Sequence, residues 1–213
     1  MTMSPALLLH QWLSPAFPVG AFSYSHGLEV AIADGRICDM ASTADWVEAA
    51  LDHGAGRSDA ILLAAAYHAG PTGHDALGDL ARALSPSAER LAETDRMGAA
   101  FARTLRALHD LDLPDAPYPV VLGQAARACD LPLLLTLNLF LQAFVANLVS
   151  ASLRLVPLGQ TEAQGVILHL TDRIAEIAVD AEPGDTDQIG TATIALDIAS
   201  MAHETLPTRL FQS

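Results

Sequence analysis

Eight histidines, at positions 10, 26, 53, 68, 74, 109, 169 and 203, and 25 acidic residues are the raw material for a metal site, and their spacing decides what they could do. No two histidines stand four apart, the separation that puts two imidazoles on one helical face, as in HExxH. No acid precedes a histidine by three residues either, as carboxylate-bridged di-iron sites require. The reverse order occurs three times, as His26 with Glu29, His109 with Asp112 and His169 with Asp172. Such a pair offers two ligands, too few to hold a transition metal tightly, and helix-surface pairs of this kind are commonly solvated contacts. His26 is the best placed. With Glu29 it defines the one enzymatic alternative, a small metal-dependent hydrolase. Ser23 and Ser25 lie beside His26, but no GxSxG elbow surrounds them, and serines before a helix usually serve as caps.

What is missing narrows the chemistry further. All eleven basic residues are arginine. A chain without lysine cannot build a Walker-type phosphate loop, a Schiff-base enzyme, a protein kinase or a Ser-Lys hydrolase. A net charge of −14 argues against nucleic acid as a partner, because phosphate binding draws on cations. Cys38 and Cys129 belong to no zinc-type spacing and read as reduced thiols. The opening MTMSPALLLHQWLSP lacks the charged segment and cleavage site of a signal peptide, so a cytoplasmic protein is expected.

The elements that would position these groups are helices. Ser42 to Asp45 resembles a capping box for a helix ending near Gly54, and Ser58 is placed to cap another ending at Gly70-Pro71. Thr72 with Asp75 marks a third start, and Ser85-Pro86 a fourth, whose helix runs to about Leu111. The stretch DLPDAPYP, 112 to 119, carries three prolines and reads as a loop. Helix resumes near Val120, pauses at Leu131-Pro132, and a last segment follows the acidic turn EPGDTD. Runs of alternating β-branched residues are lacking. The expectation is therefore an all-α, single-domain helical bundle of about eight to ten helices spanning residues 1 to 213.

The uncharged run from Leu131 to Leu153 is long enough to cross a bilayer. Pro132 at its start, and Thr136, Asn138, Gln142 and Asn147 within it, favour the buried central helix of a soluble bundle, so no membrane is expected.

The stretch SPAFPVGAFSYSHGLE, 14 to 29, stands apart from all this. Ser14-Pro15 should end the first helix, Pro18 holds the chain extended, and Gly20 permits a sharp turn. Phe17, Phe22 and Tyr24 are candidates to bury and pin that turn. Ser23 or Ser25 would cap a helix carrying His26, Gly27, Leu28 and Glu29. Glycine costs roughly 1 kcal/mol in a helix interior, so Gly27 points to close approach by another backbone. The result would be a stiff surface suited to a protein partner.

The string WLSPAFPVGAFSYSHGLE, Trp12 to Glu29, closely resembles the N-terminal signature of the urease accessory protein UreF family. YPVVLGQAARACDLPL from Tyr118, LRLVPLGQTEAQ from Leu153, and the HET and RLF elements at His203 to Thr205 and Arg209 to Phe211 agree in the same order. The resemblance implies an all-α, non-enzymatic homodimer that joins UreD (UreH in some systems) and the GTPase UreG, so that nickel reaches apo-urease with GTP hydrolysis on UreG. Regulation of the GTPase is a second implied role. By the same resemblance Ser23, Tyr24, His26, Gly27 and Glu29 fall on the UreG side. Arg209, Leu210 and Phe211, in a tail at about 204 to 213, fall on the UreD side. No cofactor is expected to bind tightly; nickel would pass through, with His26 in a transit role. The tail departs from the family pattern: Leu206-Pro207-Thr208 stands where Gln-Tyr-Ser is common, and Gln212 where arginine is. Ala163 replaces a frequent glycine.

Overall fold

A computed structural model describes residues 4–70, 73–157, 159–190 and 192–213. They form eleven α-helices: α1 (Pro5–Trp12), α2 (Leu28–Ala33), α3 (Met40–Asp52), α4 (Ala55–Ala69), α5 (His74–Ala83), α6 (Ala88–His109), α7 (Tyr118–Ala128), α8 (Leu133–Leu155), α9 (Gln160–His169), α10 (Thr171–Ala181) and α11 (Ile194–His203). Two single turns of 3₁₀ helix, Ala21–Ser23 and Thr186–Gln188, complete the regular structure, and no strand occurs among the described residues. The all-α expectation holds. Leu170 caps both α9 and α10, so these form one bent rod. With that rod counted once and the six-residue α2 left out, the number of helices is nine, inside the expected range.

The centre of the fold is α4, packed against α7 and α8. Leu62, Leu63, Val121, Leu122, Leu137 and Leu141 are fully enclosed there. Glycine sets the closest approaches. A Cβ at Gly123 of α7 would lie 2.2 Å from the Leu63 carbonyl oxygen of α4, and one at Gly98 of α6 would lie 1.9 Å from that of Ala116 in the proline loop. Aromatic rings tie α1 to this centre, with Trp12, Phe17 and Tyr118 each packed on Phe101 at centroid distances of 5.5 to 5.7 Å.

Helix α8 is 23 residues long and apolar enough to cross a membrane by length and composition. In this fold it packs against α3, α4, α9 and α10, and 44% of its most apolar stretch is buried. Thr136 and Asn138 return their donors to the carbonyls of Pro132 and Leu134 at 2.9 and 2.7 Å.

The helix starts differ in detail from the sequence expectation. The box that opens α3 pairs Asp39 with Ser42, whose amide donates to the Asp39 carboxylate at 2.9 Å. Asp39 is the N-cap, so the helix starts three residues upstream of the expected Ser42 cap. Ser58 lies inside α4 and returns its hydroxyl to the Gly54 carbonyl; Gly54 itself is the N-cap. Ser87, not Ser85, caps α6 by accepting the Arg90 amide. Gly73 precedes α5; Thr72 and Pro71 lie outside the described residues. Helix α6 stops at His109, where Asp110 turns left-handed, and α7 starts at Tyr118 with Pro119 tolerated in its first turn.

Replacing Gly98 by alanine should therefore lower the urea midpoint, by about 1–3 kcal/mol of stability, because the clash is with backbone. Gly165 of α9 faces open space, and its replacement by alanine should be neutral or stabilising by up to about 1 kcal/mol. Urea titration of both variants checks the contrast.

Candidate functional site

The signature forms one continuous turn. After α1, the Phe17 amide donates to the Ser14 carbonyl at 2.9 Å, and Gly20, at φ +77°, reverses the chain in the left-handed region. Phe17 and Tyr24 are buried as expected, but Phe22 is 54% exposed, because the short turn at Ala21–Ser23 rotates it outward. His26 and Gly27 follow at φ +54° and +75°. Two successive left-handed residues cannot belong to a right-handed helix, so α2 starts only at Leu28, with no serine cap. A Cβ at Gly27 would lie 2.6 Å from the Ser200 amide of α11. The close approach expected of this glycine is made within the chain.

Glu29, in the first turn of α2, holds the tail. Its carboxylate accepts the backbone N–H groups of Leu210 and Phe211 at 2.8 and 3.1 Å. His203, fully buried at the end of α11, reaches Glu29 through Nε2 at 3.2 Å and Glu89 through Nδ1 at 2.6 Å. An imidazole flanked this way donates to both carboxylates only as imidazolium. Arg209 pairs with the other oxygen of Glu89. Further along, the Gln212 amide donates to the Ser23 carbonyl at 2.7 Å, and both the amide and the hydroxyl of Ser25 donate to the Ser213 carbonyl. Phe211 is buried under the Arg154 guanidinium, which donates to the Phe22 carbonyl. The two groups of residues assigned to different sides by resemblance are thus one bonded cluster.

A second cluster backs the first. Glu93 of α6 is paired with Arg90, lies 3.2 Å from His26 Nε2, and accepts the Ser213 hydroxyl at 2.8 Å. Burial pushes the Glu93 carboxyl up, yet Arg90 and His26 outweigh it and hold it down to about 2. Burial, then Arg90, lowers His26. Arg90 Nη1 lies 2.9 Å from the same His26 nitrogen that faces Glu93, so His26 either accepts from Arg90 or donates to Glu93, never both as a neutral ring. His26 also packs edge-on against Phe144 of α8.

This geometry does not support the hydrolase built on His26 and Glu29. His26 is directed to Glu93 and Glu29 to His203, so the pair expected on one helical face is split by the left-handed step between them. Among the described residues no group of three or more His, Cys, Asp or Glu side chains is placed to hold a metal ion. Of the singled-out residues, Tyr24, Gly27, Glu29 and Phe211 are buried, Ser23 and His26 are partly so, and Arg209 and Leu210 are exposed. Sequence reasoning passed over Glu89, Arg90, Glu93 and Asp59. The Arg90-Glu93 spacing of three was the available signal, since it puts opposite charges on one helical face; Asp59 carried none.

The sequence model of the UreF family matches residues 37–171, more than half of the chain. The chain belongs to the UreF family. Urease accessory protein UreF of Cereibacter sphaeroides is 55% identical over 99% of this chain and all of its own length. The proteins of the same name from Roseobacter denitrificans and Dinoroseobacter shibae are 49% and 44% identical over 100% and 97% of this chain and 96% and 98% of their own. The family match stops short of the signature and the tail, which the full-length UreF relatives include.

Replacing Glu29 by glutamine removes a charged acceptor shared by two tail amides. Hydrogen exchange at Leu210 and Phe211 should then speed up by roughly ten- to a hundredfold, as exchange mass spectrometry would measure. The Glu93 carboxyl titrates lower in the folded chain than the ordinary 4.5, so its stabilisation is present above that pH and disappears as pH falls toward 2. Glu93→Gln should accordingly cost about 3 kcal/mol at pH 7. Its deficit should close across that acid window in thermal melts.

Proposed function

We propose that the chain is a non-catalytic scaffold of urease maturation. It acts as one unit, a cytoplasmic homodimer that joins a UreD (UreH) partner and the GTPase UreG. The resulting complex inserts nickel into apo-urease with GTP hydrolysis on UreG. Membership in an accessory-protein family supports the general role. The observation that carries the finer reading is the Glu29 clamp, by which the tail and the signature are held as one body. A UreD-type partner gripping Arg209 and Leu210 pulls on Glu29, which lies in the same signature as Ser23, Tyr24, His26 and Gly27 beside UreG. That link gives the scaffold a means of regulating the GTPase. The lack of lysine fits a nucleotide site on the partner.

Nickel passes through in this reading as cargo. Two cavities, of about 320 and 210 Å³, share His26, Asp59, Arg90 and Thr94 in their walls. Their meeting point is polar, which suits a hydrated ion in transit.

Light scattering after size exclusion tests the scaffold, first on the chain alone and then with the UreD-type partner and GDP-loaded UreG. The expected result is a dimer that takes up both. Arg209→Ala with Leu210→Ala should weaken the UreD-type contact at least about tenfold, as an arginine beside an apolar anchor is a typical hot spot. Tyr24→Ala with Glu29→Ala should lose UreG. A monomer indifferent to both partners would overturn the proposal.

A further inference from the structure

The smaller cavity lies behind the signature turn, which forms much of its wall from Trp12 through Tyr24 to His26; Met97 of α6 and Phe140 and Phe144 of α8 line it too. Two polar groups without partners border this space. The indole N–H of Trp12, a residue only 1% exposed, has no hydrogen-bond acceptor among the described residues. Asp59 of α4, half-buried, makes no hydrogen bond or close ion pair among the described residues, although it stands near Arg90 and Glu93. Buried polar groups in folded proteins are nearly always paired, and an unpaired one inside an apolar wall costs about 1–3 kcal/mol. An orphaned donor and an unpaired carboxylate in one chamber form a site that a guest completes.

Size and charge define that guest. An apolar cavity of roughly 150 Å³ accommodates benzene, so about 210 Å³ accepts one ring with a short head group. Among the charged groups facing the chamber, Glu93 is neutralised by Arg90, and Arg154 is engaged with the Phe22 carbonyl and the Phe211 ring. Tyr24, Tyr118 and His26 contribute neutral faces. Asp59 is the one carboxylate there without a hydrogen bond or close ion pair among the described residues. We propose that this chamber binds a small amphipathic cation, a protonated amine or amidine on a single ring, with its head on the Asp59 carboxylate and its ring accepting the Trp12 N–H.

Benzamidine is a suitable probe, titrated into the full chain at pH 6 and pH 8 while the indole N–H resonances of Trp12 and Trp46 are followed by NMR. Burial drives the Asp59 carboxyl up to about 7. Only its ionised form attracts the cation, so binding should be roughly tenfold tighter at pH 8 than at pH 6. Glu93 and Tyr24 titrate outside that interval, and His26 is shifted below its ordinary value. The Trp12 signal should move saturably and that of Trp46 should not.

Asp59→Asn should weaken binding at pH 8 by about tenfold or more and erase the pH dependence. Ala143→Leu, which fills the chamber from α8, should abolish binding at both pH values. The proposal is overturned if Trp12 does not respond, if neutral benzyl alcohol binds as tightly as benzamidine, or if the pH profile survives Asp59→Asn. No partner protein takes part, so failure here leaves the scaffold reading standing, and failure of the scaffold leaves the chamber.

Discussion

A buried carboxylate has to have its lone pairs filled, because an ion stripped of water without replacement bonds costs several kcal/mol. Glu29 meets that requirement with two tail amides and the His203 ring, drawn from parts of the chain more than 170 positions away. The arrangement of the N-terminal signature follows from it. With the tail in place, Ser25 and Ser23 find their partners at Ser213 and Gln212, and Glu93 completes its set with the Ser213 hydroxyl. Without the tail, each of those groups would face water or stay unpaired. The order of two distant segments is in this way a single electrostatic condition.

Much of the architecture was legible because it rests on local rules. The proline loop, the break at Leu131-Pro132 and the apolar core helix follow from missing amides and uninterrupted hydrophobic runs, which neighbours in sequence determine. The caps were legible only to within a few residues, since several Ser and Asp side chains compete for the same amides and tertiary packing picks among them. At the site, residue types pointed to the right stretch but not to its wiring. His26 and Glu29 are three apart, and only the left-handed step at His26-Gly27 separates their partners. Close packing against α11 imposes that step, and no local spacing encodes it. Asp59 was illegible for a related reason, as its isolation depends on tertiary neighbours such as Arg90 and Glu93 of α6 being engaged with each other.

The two clusters differ in what they could transmit. Glu29 binds the tail through backbone amides, so the bond survives most side-chain changes in the tail, including the Leu206-Pro207-Thr208 departure. Glu93 instead joins side chains, and its neighbours Arg90 and His26 border both internal cavities. Changes in the tail and changes in the chamber therefore meet at α6, the helix that carries Glu89, Arg90 and Glu93.

Gly27 has a mechanical consequence. Where side chains separate two elements, rotamer changes absorb small displacements; here the backbone of the signature rests directly on that of α11 at Ala199 and Ser200. The contact is a fulcrum with no cushion. Beyond it, α11 turns Ile194 and Ile198 to solvent, an apolar handle on the outer arm of a lever whose inner arm ends at His203 and the tail. At that point no side chain lies between the two backbones to absorb a displacement of α11 before it reaches the signature.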